Sequence, residues 1–563
     1  MKNWKVKLIF FFLICFSLLI ILRLYYLQIK KGEYYEALAL GQQVSFEEIR
    51  GERGEIFLNN GEVLLAQTKK KNIVYIFPEK IPEETREETA EIMGEILGEK
   101  KENLLSFFEK GEVLKREISK EALQNLKSSQ LQGVSPDEVW ARFYPQEELA
   151  SHVIGFLNTQ GQGQYGIEGY YDEILRGEDI FQTKGKTPFS FLTFLSDNNE
   201  NVLEEYSSKG ASLYLTLDYN IQYFSEKLLK TAKENWDIDA GQIIVTAPAT
   251  GKILALAVYP TFNPNRYGEE KNLEIFLNSV LQKLFEPGSV FKPITFAQGL
   301  EENLITPETT YQDEGYVKIV GPPIYNFQKR VWGEQTMTDV LEESINTGAV
   351  FIQQKIGKEQ FLEYLEEFGF FEKTGIDSGA EEFSGNKPLL SGHLRDLATA
   401  SFGQGIEVTP IQLVRAFGAI ANGGSLMRPY IVEKIVKANG EVIETQPEVQ
   451  REVISQKTSN TLTSMMMSVI ENGSGRNAKI KGYHLAGKTG TAQVPLKGGG
   501  GYSETETIQS FIGFFPALNP KVLIFVKLDN PREVEEASRS AVPLGRELIK
   551  YIIDYWQIPP DYE

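Results

Sequence analysis

Two pairs of strand-like runs stand at opposite ends of one long segment, and that arrangement limits the folds open to this chain. Gln242-Ile-Ile-Val-Thr-Ala247 and Ile253-Leu-Ala-Leu-Ala-Val-Tyr259 flank Pro248-Ala-Thr-Gly251, a hairpin signal. Near the C-terminus, Ser510-Phe-Ile-Gly-Phe-Phe515 and Lys521-Val-Leu-Ile-Phe-Val-Lys527 give two more strands. The first pair is preceded by strand-like Leu213–Leu217 and an amphipathic helix from Ile221 to Ala232; the second is followed by a helix from about Ala541 to Tyr555. The sequence between the pairs is mostly helical. Strands at both ends of a mostly helical segment predict an α+β domain whose sheet, flanked by helices, is closed by its own termini.

Upstream, Gly32 to about Lys209 alternates short strand-like runs with charged helical stretches. Asn72–Phe77 reads as a strand, and Pro82 to Leu126 as surface helices with Ile92, Ile96, Leu104 and Leu105 at helical spacing. The polar stretches Ser196–Asn201 and Ser207–Gly210 mark the boundary between the two compositions. A chain of 563 residues is too long for a single core, so two or more domains are expected.

The first residues carry a different signal. Leu8 to Leu22 is apolar except for Ser17 and follows Lys2, Lys5 and Lys7. Continued through Arg23 to Ile29, it makes a helix of about 33 Å, long enough to cross a hydrocarbon core of about 30 Å. Arg23 would then snorkel to the interface beside Tyr25 and Tyr26. The rival reading is a cleaved signal peptide, but the site-like Ala37-Leu-Ala39 lies about 17 residues beyond the apolar run, too far for usual processing. An uncleaved anchor over 8–29, after a tail over 1–7, is therefore expected. Charge does not orient it, because Arg23, Lys30 and Lys31 balance the three early lysines.

Several chemistries are excluded early. The net charge of −19 argues against a nucleic-acid partner. The one cysteine, Cys15, lies in the apolar run, so no disulfide within the chain and no cysteine metal site can form. The histidines (His152, His393, His484) are far apart and lack metal-ligand spacing. A zinc enzyme is therefore not expected.

A Ser-His-Asp triad is not excluded by count, but no GxSxG elbow marks one, and the sharpest signal is a different serine pattern. In Glu286-Pro-Gly-Ser-Val-Phe-Lys-Pro293 a Pro-Gly turn places Ser289 where a helix begins, with Lys292 one turn on along the same face. A serine at a helix N-terminus has exposed N–H groups to favour an oxyanion, and a buried lysine with a lowered pKa can take its proton without any histidine. The pattern SxxK recurs at Ser384-Gly-Asn-Lys387, so alone it is weak. Acyl transfer of this type needs two further elements, SxN and KTG. Ser344-Ile-Asn346 matches the first, as do Ser196–Asn198 and Ser384–Asn386, but the latter two lie in polar loops where Ser and Asn are ordinary turn formers. Ser344 instead lies on an apolar face defined by Met337, Val340, Leu341, Ile345, Gly348 and Ile352, where its hydroxyl must find a partner; a bond to the i−4 carbonyl is the bland alternative. Lys-Thr-Gly occurs at Lys373, where Thr374-Gly375 reads as a helix C-cap, and at Lys488, which opens the extended run Lys488–Val494. That run precedes the turn Gly498–Gly501 and pairs with Ser510–Phe515, and Gly490 would let a substrate backbone approach the strand edge. Order and context select Ser289, Ser344 and Lys488.

At these residues the chain resembles the penicilloyl serine transferases, specifically the class B penicillin-binding proteins, and the resemblance covers almost the whole chain. Arg23–Gln28 is similar to the exit from their anchor. Arg53-Gly-Glu-Ile56, Asn60-Gly61 and Leu65-Ala66 resemble the first pedestal motif, with Leu58 and Asn59 where an Asp-Arg pair is usual. Tyr144-Pro145, Ala150–Gly155 and Gly166–Tyr170 resemble the remaining pedestal motifs. Thr216–Asp218 with Gln222 resembles the entry to the transpeptidase domain, and Thr399–Ile406, Thr409-Pro410 and Asn422–Gly424 complete the match. Asp396–Gly405 looks closer to the division-type FtsI/SpoVD-like group than to the elongation type.

The resemblance implies an elongated, β-rich pedestal over 32–209, a penicillin-binding/β-lactamase-like transpeptidase domain over 210–556 and a tail over 557–563. No glycosyltransferase segment is seen ahead of the pedestal. It implies an extracytoplasmic D,D-transpeptidase at the bacterial cytoplasmic membrane, cross-linking peptidoglycan stems in septal wall synthesis. Ser289 would attack the carbonyl between two terminal D-alanines with Lys292 as base; Ser344 and Lys488 would relay a proton to the departing D-alanine. Asn346 would bind a substrate amide, Thr489 and Thr491 along the Thr489-Gly490-Thr491 strand its carboxylate, and the N–H groups of Ser289 and Thr491 the oxyanion. β-Lactams would acylate Ser289, no cofactor or metal is implied, and a polytopic glycan polymerase of the FtsW/RodA kind would be the membrane partner. Water in place of the acceptor amine would make the same site a D,D-carboxypeptidase, and a vestigial site would leave a division scaffold.

Overall fold

The computed structural model describes residues 52–58, 61–111, 114–177, 180–185, 209–496 and 501–562, with the strand 44–49 and scattered positions between 4 and 20. Most of the expected anchor over 8–29, the decoy Ser196–Asn198 and most of the Gly498–Gly501 turn lie outside the described residues. Among those described, no helix is long and apolar enough to cross a membrane.

The chain forms two compact units, residues 1–53 with 176–210 and residues 54–175 with 211–563. In the first, Val44–Ile49 and Ile180–Gly185 pair antiparallel from Val44 opposite Gly185 to Ile49 opposite Ile180.

The second unit contains two large sheets. One strings together, in order, Val442–Glu444, Val432–Val436, Ser212–Leu215, Ile56–Phe57, Leu64–Ile76 and Leu114–Glu117, with Val134–Phe143 also paired to Leu64–Ile76. Strands from before and after the expected boundary at 209/210 thus belong to one sheet, joined where Ile56–Phe57 runs parallel to Ser212–Leu215. Helices Arg86–Leu97, Lys101–Lys110 and Lys120–Ser129 lie beside it, and Val74, Ile76, Met93, Leu104, Phe108 and Leu126 form a small core of their own. Nearby, Arg142 and Glu168 form a buried ion pair at 2.6 Å, with the carboxylate also accepting from the Tyr144 hydroxyl at 3.3 Å.

The other sheet is the one foreseen from the two ends of the segment. Its five antiparallel strands, β1 (Ala240–Ala247), β2 (Lys252–Tyr259), β3 (Ala486–Pro495), β4 (Tyr502–Phe515) and β5 (Val522–Asp529), are ordered β2-β1-β5-β4-β3. Alternate residues of β1 serve different cores. Ile243 and Val245 pack with Leu228, Leu548 and Ile552 of helices Tyr219–Trp236 and Ala541–Trp556, whereas Ile244 packs with Ile294, Phe417 and Met466 on the opposite face. A sheet covered on both faces needs near-continuous apolar strands, which accounts for runs such as Gln242–Ala247. β3 is left at the edge, beside the turn that carries Ser289.

Candidate active site

The Ser289 turn is set by its neighbours. Gly288 adopts φ +62°, and a β-carbon there would lie 2.8 Å from that of Ala492 on β3. Its N–H donates to the Gly403 carbonyl at 2.9 Å. One tight turn, Gly288–Phe291, leads into α1 (Lys292–Glu301), with Pro293 harmless in the first turn. Val290 and Phe291 are fully buried, which leaves Ser289 half-buried and Lys292 wholly enclosed.

The Lys292 Nζ lies 2.9 Å from Ser289 Oγ, 2.7 Å from the Ser344 carbonyl, 3.1 Å from Ser344 Oγ and 2.8 Å from Asn346 Oδ1. Burial, reinforced by the charge of Lys488, pushes its pKa well below the ordinary lysine value. A neutral amine has two hydrogens and one lone pair. In that form the hydrogens are shared among the Ser344 carbonyl, the Ser344 hydroxyl and Asn346 Oδ1, and the lone pair can take the Ser289 proton.

Ser344 departs from the expected helical face. The helix stops at Glu342 (α2, Met337–Glu342) and restarts at Asn346 (α3, Asn346–Ile356). Ser344 sits in the break with φ +58°. No bond to the i−4 carbonyl forms; its hydroxyl instead takes Lys292 Nζ at 3.1 Å and Lys488 Nζ at 2.9 Å. The apolar spacing was real, because Val340, Leu341, Ile345 and Ile352 are all core, but two helices share it. Asn346 donates from Nδ2 to the Tyr325 carbonyl at 3.2 Å, which orients the amide and leaves one amide hydrogen uncommitted.

Lys488 is also wholly buried, and desolvation pulls its pKa down to about 7, with Glu343 opposing. Further along β3, Thr489 Oγ1 bonds Ser474 Oγ at 3.2 Å. Thr491 Oγ1 accepts from the Ala537 N–H at 3.2 Å and keeps its own hydrogen to donate. The room that Gly490 provides is filled from within: a β-carbon there would meet Ser510 Oγ at 2.7 Å and Val290 Cγ1 at 2.9 Å, so the glycine seats the nucleophile turn rather than a substrate backbone.

The decoys separate physically. Ser384 bonds Glu407 at 3.3 Å and Lys387 is exposed, so no buried amine faces that serine. Lys373 is exposed too, and Thr374-Gly375 is not a helix cap: the helix Lys358–Glu367 ends earlier, and the N–H groups of Thr374 and Gly375 bond the Glu381 carboxylate at 2.7 and 3.1 Å.

Sequence reasoning missed Ser474 and Glu343. Ser474 belongs to no catalytic pattern, only to the turn Asn472-Gly-Ser-Gly475, and it is brought to β3 by its N–H bond of 3.0 Å to the Glu342 carbonyl. Glu343 immediately precedes Ser344, and its sign relative to Lys488 was the available signal.

A family model described as the penicillin-binding protein transpeptidase domain matches residues 241–550, and one described as the penicillin-binding protein dimerisation domain matches residues 48–187. The chain belongs to the class B penicillin-binding proteins. Stage V sporulation protein D of Bacillus subtilis (strain 168) is 33% identical over 544 residues, covering 94% of this chain and 83% of that one. The peptidoglycan D,D-transpeptidase FtsI homolog of Mesostigma viride is 28% identical over 571 residues, covering 97% and 94%. In fold, the chain is similar to penicillin-binding protein 3 of Mycobacterium tuberculosis complexed with aztreonam, with a TM-score of 0.71 and 24% identity over 91% of this chain and 98% of that one.

Proposed function

We propose that this penicillin-binding protein is a peptidoglycan D,D-transpeptidase of the division type, working through an acyl-enzyme on Ser289. The observation that carries the reading is the contact of 2.9 Å between a fully buried Lys292 amine and the Ser289 hydroxyl. Ser289 Oγ attacks the carbonyl between the two terminal D-alanines while its proton passes to the Lys292 lone pair. The oxygen that gains charge is held by the N–H groups of Ser289 and Thr491. As the C–N bond breaks, the departing D-alanine nitrogen takes the Ser344 hydroxyl proton, which Lys488 or Lys292 replaces. The acceptor amine then attacks the ester, loses a proton to the same relay and releases Ser289. Asn346 offers its remaining amide hydrogen to a substrate carbonyl, and Thr489 and Thr491 hold the terminal carboxylate beside Lys488. β-Lactams present the same carboxylate and a reactive amide, and acylate Ser289 in the donor's place.

Around this site we assign 8–29 to a membrane anchor, 32–209 to the pedestal and 210–556 to the transpeptidase domain. The support is the apolar run Leu8–Leu22 and the two family matches. The catalytic part then lies outside the cytoplasmic membrane, with a glycan polymerase of the FtsW/RodA kind as its membrane partner and the septum as its place of work. Mass spectrometry of products formed from a lipid-linked precursor and a cognate polymerase tests the reaction. Cross-linked dimers are expected; only trimmed stems would mean that water is the acceptor.

A further inference from the structure

Away from Ser289, a cavity of about 290 Å³ opens between residues 152–170 on one side and residues 276–282 and 378–380 on the other. It shares no residue with the catalytic group. Its wall contains Ser378, which is 0% exposed and whose hydroxyl has no hydrogen-bond partner among the described residues. A buried polar group without a partner calls for a ligand group to complete it. The Gln282 amide oxygen accepts from the Asn278 N–H at 2.8 Å, which leaves its NH2 as a second donor in the wall.

The rest of the wall is apolar or neutral. Phe276 and Leu281 are buried in it. His152 is held neutral by burial, its pKa pulled down to about 4, with Nε2 donating to the Ile275 carbonyl at 2.8 Å. Among the described residues, no carboxylate or ammonium lines the cavity. Two tyrosines stand at the mouth, Tyr165 at 36% and Tyr170 at 49% exposure. Tyr165 is held at φ 58° and ψ 172°, a region almost reserved for glycine, with its ring against Phe156 and Phe276 at 5.7 and 5.8 Å between centroids. The fold keeps this aromatic at the mouth against its backbone preference.

Aromatic faces at the mouth, neutral donors at the back and a size at the low end for a small-molecule site suit one neutral sugar ring with an amide substituent. We infer that this cavity is a glycan subsite that holds an N-acetylated hexosamine unit of a peptidoglycan strand. Tyr165 and Tyr170 pack on the apolar face of the ring, Ser378 and Gln282 donate to the acetamido carbonyl, and the acetyl methyl enters beside Phe276 and Leu281. The inference rests on the transpeptidase reading for the identity of the polymer. A second grip on the glycan raises the effective concentration of its stems at Ser289.

The test uses the protein with β-1,4-linked N-acetylglucosamine tetramer as probe and glucose tetramer as control, read by saturation-transfer NMR and calorimetry. The acetylated oligomer is expected to bind, with saturation strongest on its acetyl methyl, and the glucose oligomer to bind at least about fivefold more weakly. Tyr165→Gly relieves the backbone, and Ser378→Ala removes an unpartnered hydroxyl, so both should fold. Each should weaken binding about fivefold or more while the rate of penicillin acylation holds and the unfolding midpoint does not fall. No binding to a protein that still acylates, equal binding of the two oligomers, or binding indifferent to both substitutions would overturn the inference. Failure of acylation at Ser289 would count against the transpeptidase reading and leave the oligomer measurement standing.

Discussion

Lys292 reaches both the backbone carbonyl and the hydroxyl of Ser344, at 2.7 and 3.1 Å, and it does so because Ser344 stands left-handed in a break between two helices. A continuous helix would have committed that carbonyl to the backbone ladder. The break turns it outward as an acceptor for the base, and the same turn carries the hydroxyl to Lys488 at 2.9 Å. Local backbone strain is thus part of the catalytic arrangement.

The strain is measurable. Ser344→Gly and Ser344→Ala both remove the hydroxyl, and each should lower product formation by about 100-fold or more. Only the glycine accepts φ +58° without cost. The glycine variant should therefore be more stable than the alanine variant by about 1 kcal/mol in denaturant unfolding.

The second lysine limits stability. Lys488 is fully buried with a pKa of about 7 against an ordinary 10.5. Between those values the unfolded chain binds a proton that the folded chain does not. This group's contribution to stability therefore rises with pH across that window and is flat, at its least favourable, below pH 7. Lys488→Met should stabilise the protein by about 2 kcal/mol near neutrality while abolishing turnover, and the advantage should shrink toward pH 10. Denaturant melts at two pH values check both sign and trend.

Acylation should follow the neutral form of Lys292. Its pKa is lowered by burial first and by the charge of Lys488 second. The rate with a fluorescent penicillin should therefore climb with pH and level off below the ordinary lysine range. In Lys488→Met the like charge is gone, so the residual rate should climb at higher pH than in the native protein. Stopped-flow fluorescence across pH reads the shift.

Ser474 and Thr489 form a hydroxyl pair, 3.2 Å apart, with Thr489 on the strand proposed to hold the carboxylate and Ser474 in the turn beside it. Ser474→Ala and Thr489→Val should each slow acylation by a penicillin free acid by about tenfold, the equivalent of one hydrogen bond to a charged group. They should change acylation by the corresponding methyl ester far less. Comparing the acid-to-ester ratio across variants separates carboxylate recognition from a general disturbance.

How far the sequence carried the reading depended on the kind of signal. The central strands of the five-stranded sheet were legible because they are buried on both faces and read as apolar runs, whereas Lys488, on the edge strand, was found from its Lys-Thr-Gly pattern in an extended run before a Gly-rich turn. Ser289 and Lys292 were legible because their spacing, turn and helix start belong to one local stretch. Ser344 was found through its core neighbours but in the wrong conformation: apolar residues at helical spacing do not reveal that residues 343–345 leave the helix. The end of the helix at Glu367 was missed in the same way, since Thr374-Gly375 offered a plausible cap beyond it. Ser474 and the Arg142–Glu168 pair were invisible because they are made by chain segments brought together only in the fold.

The most direct test of the account is where a β-lactam attaches. Fluorescent penicillin followed by proteolysis and mass spectrometry should place one adduct on the peptide that contains Ser289. The label should vanish in Ser289→Ala and persist in Ser384→Ala. An adduct that survives Ser289→Ala, or that maps to another serine, would contradict the account.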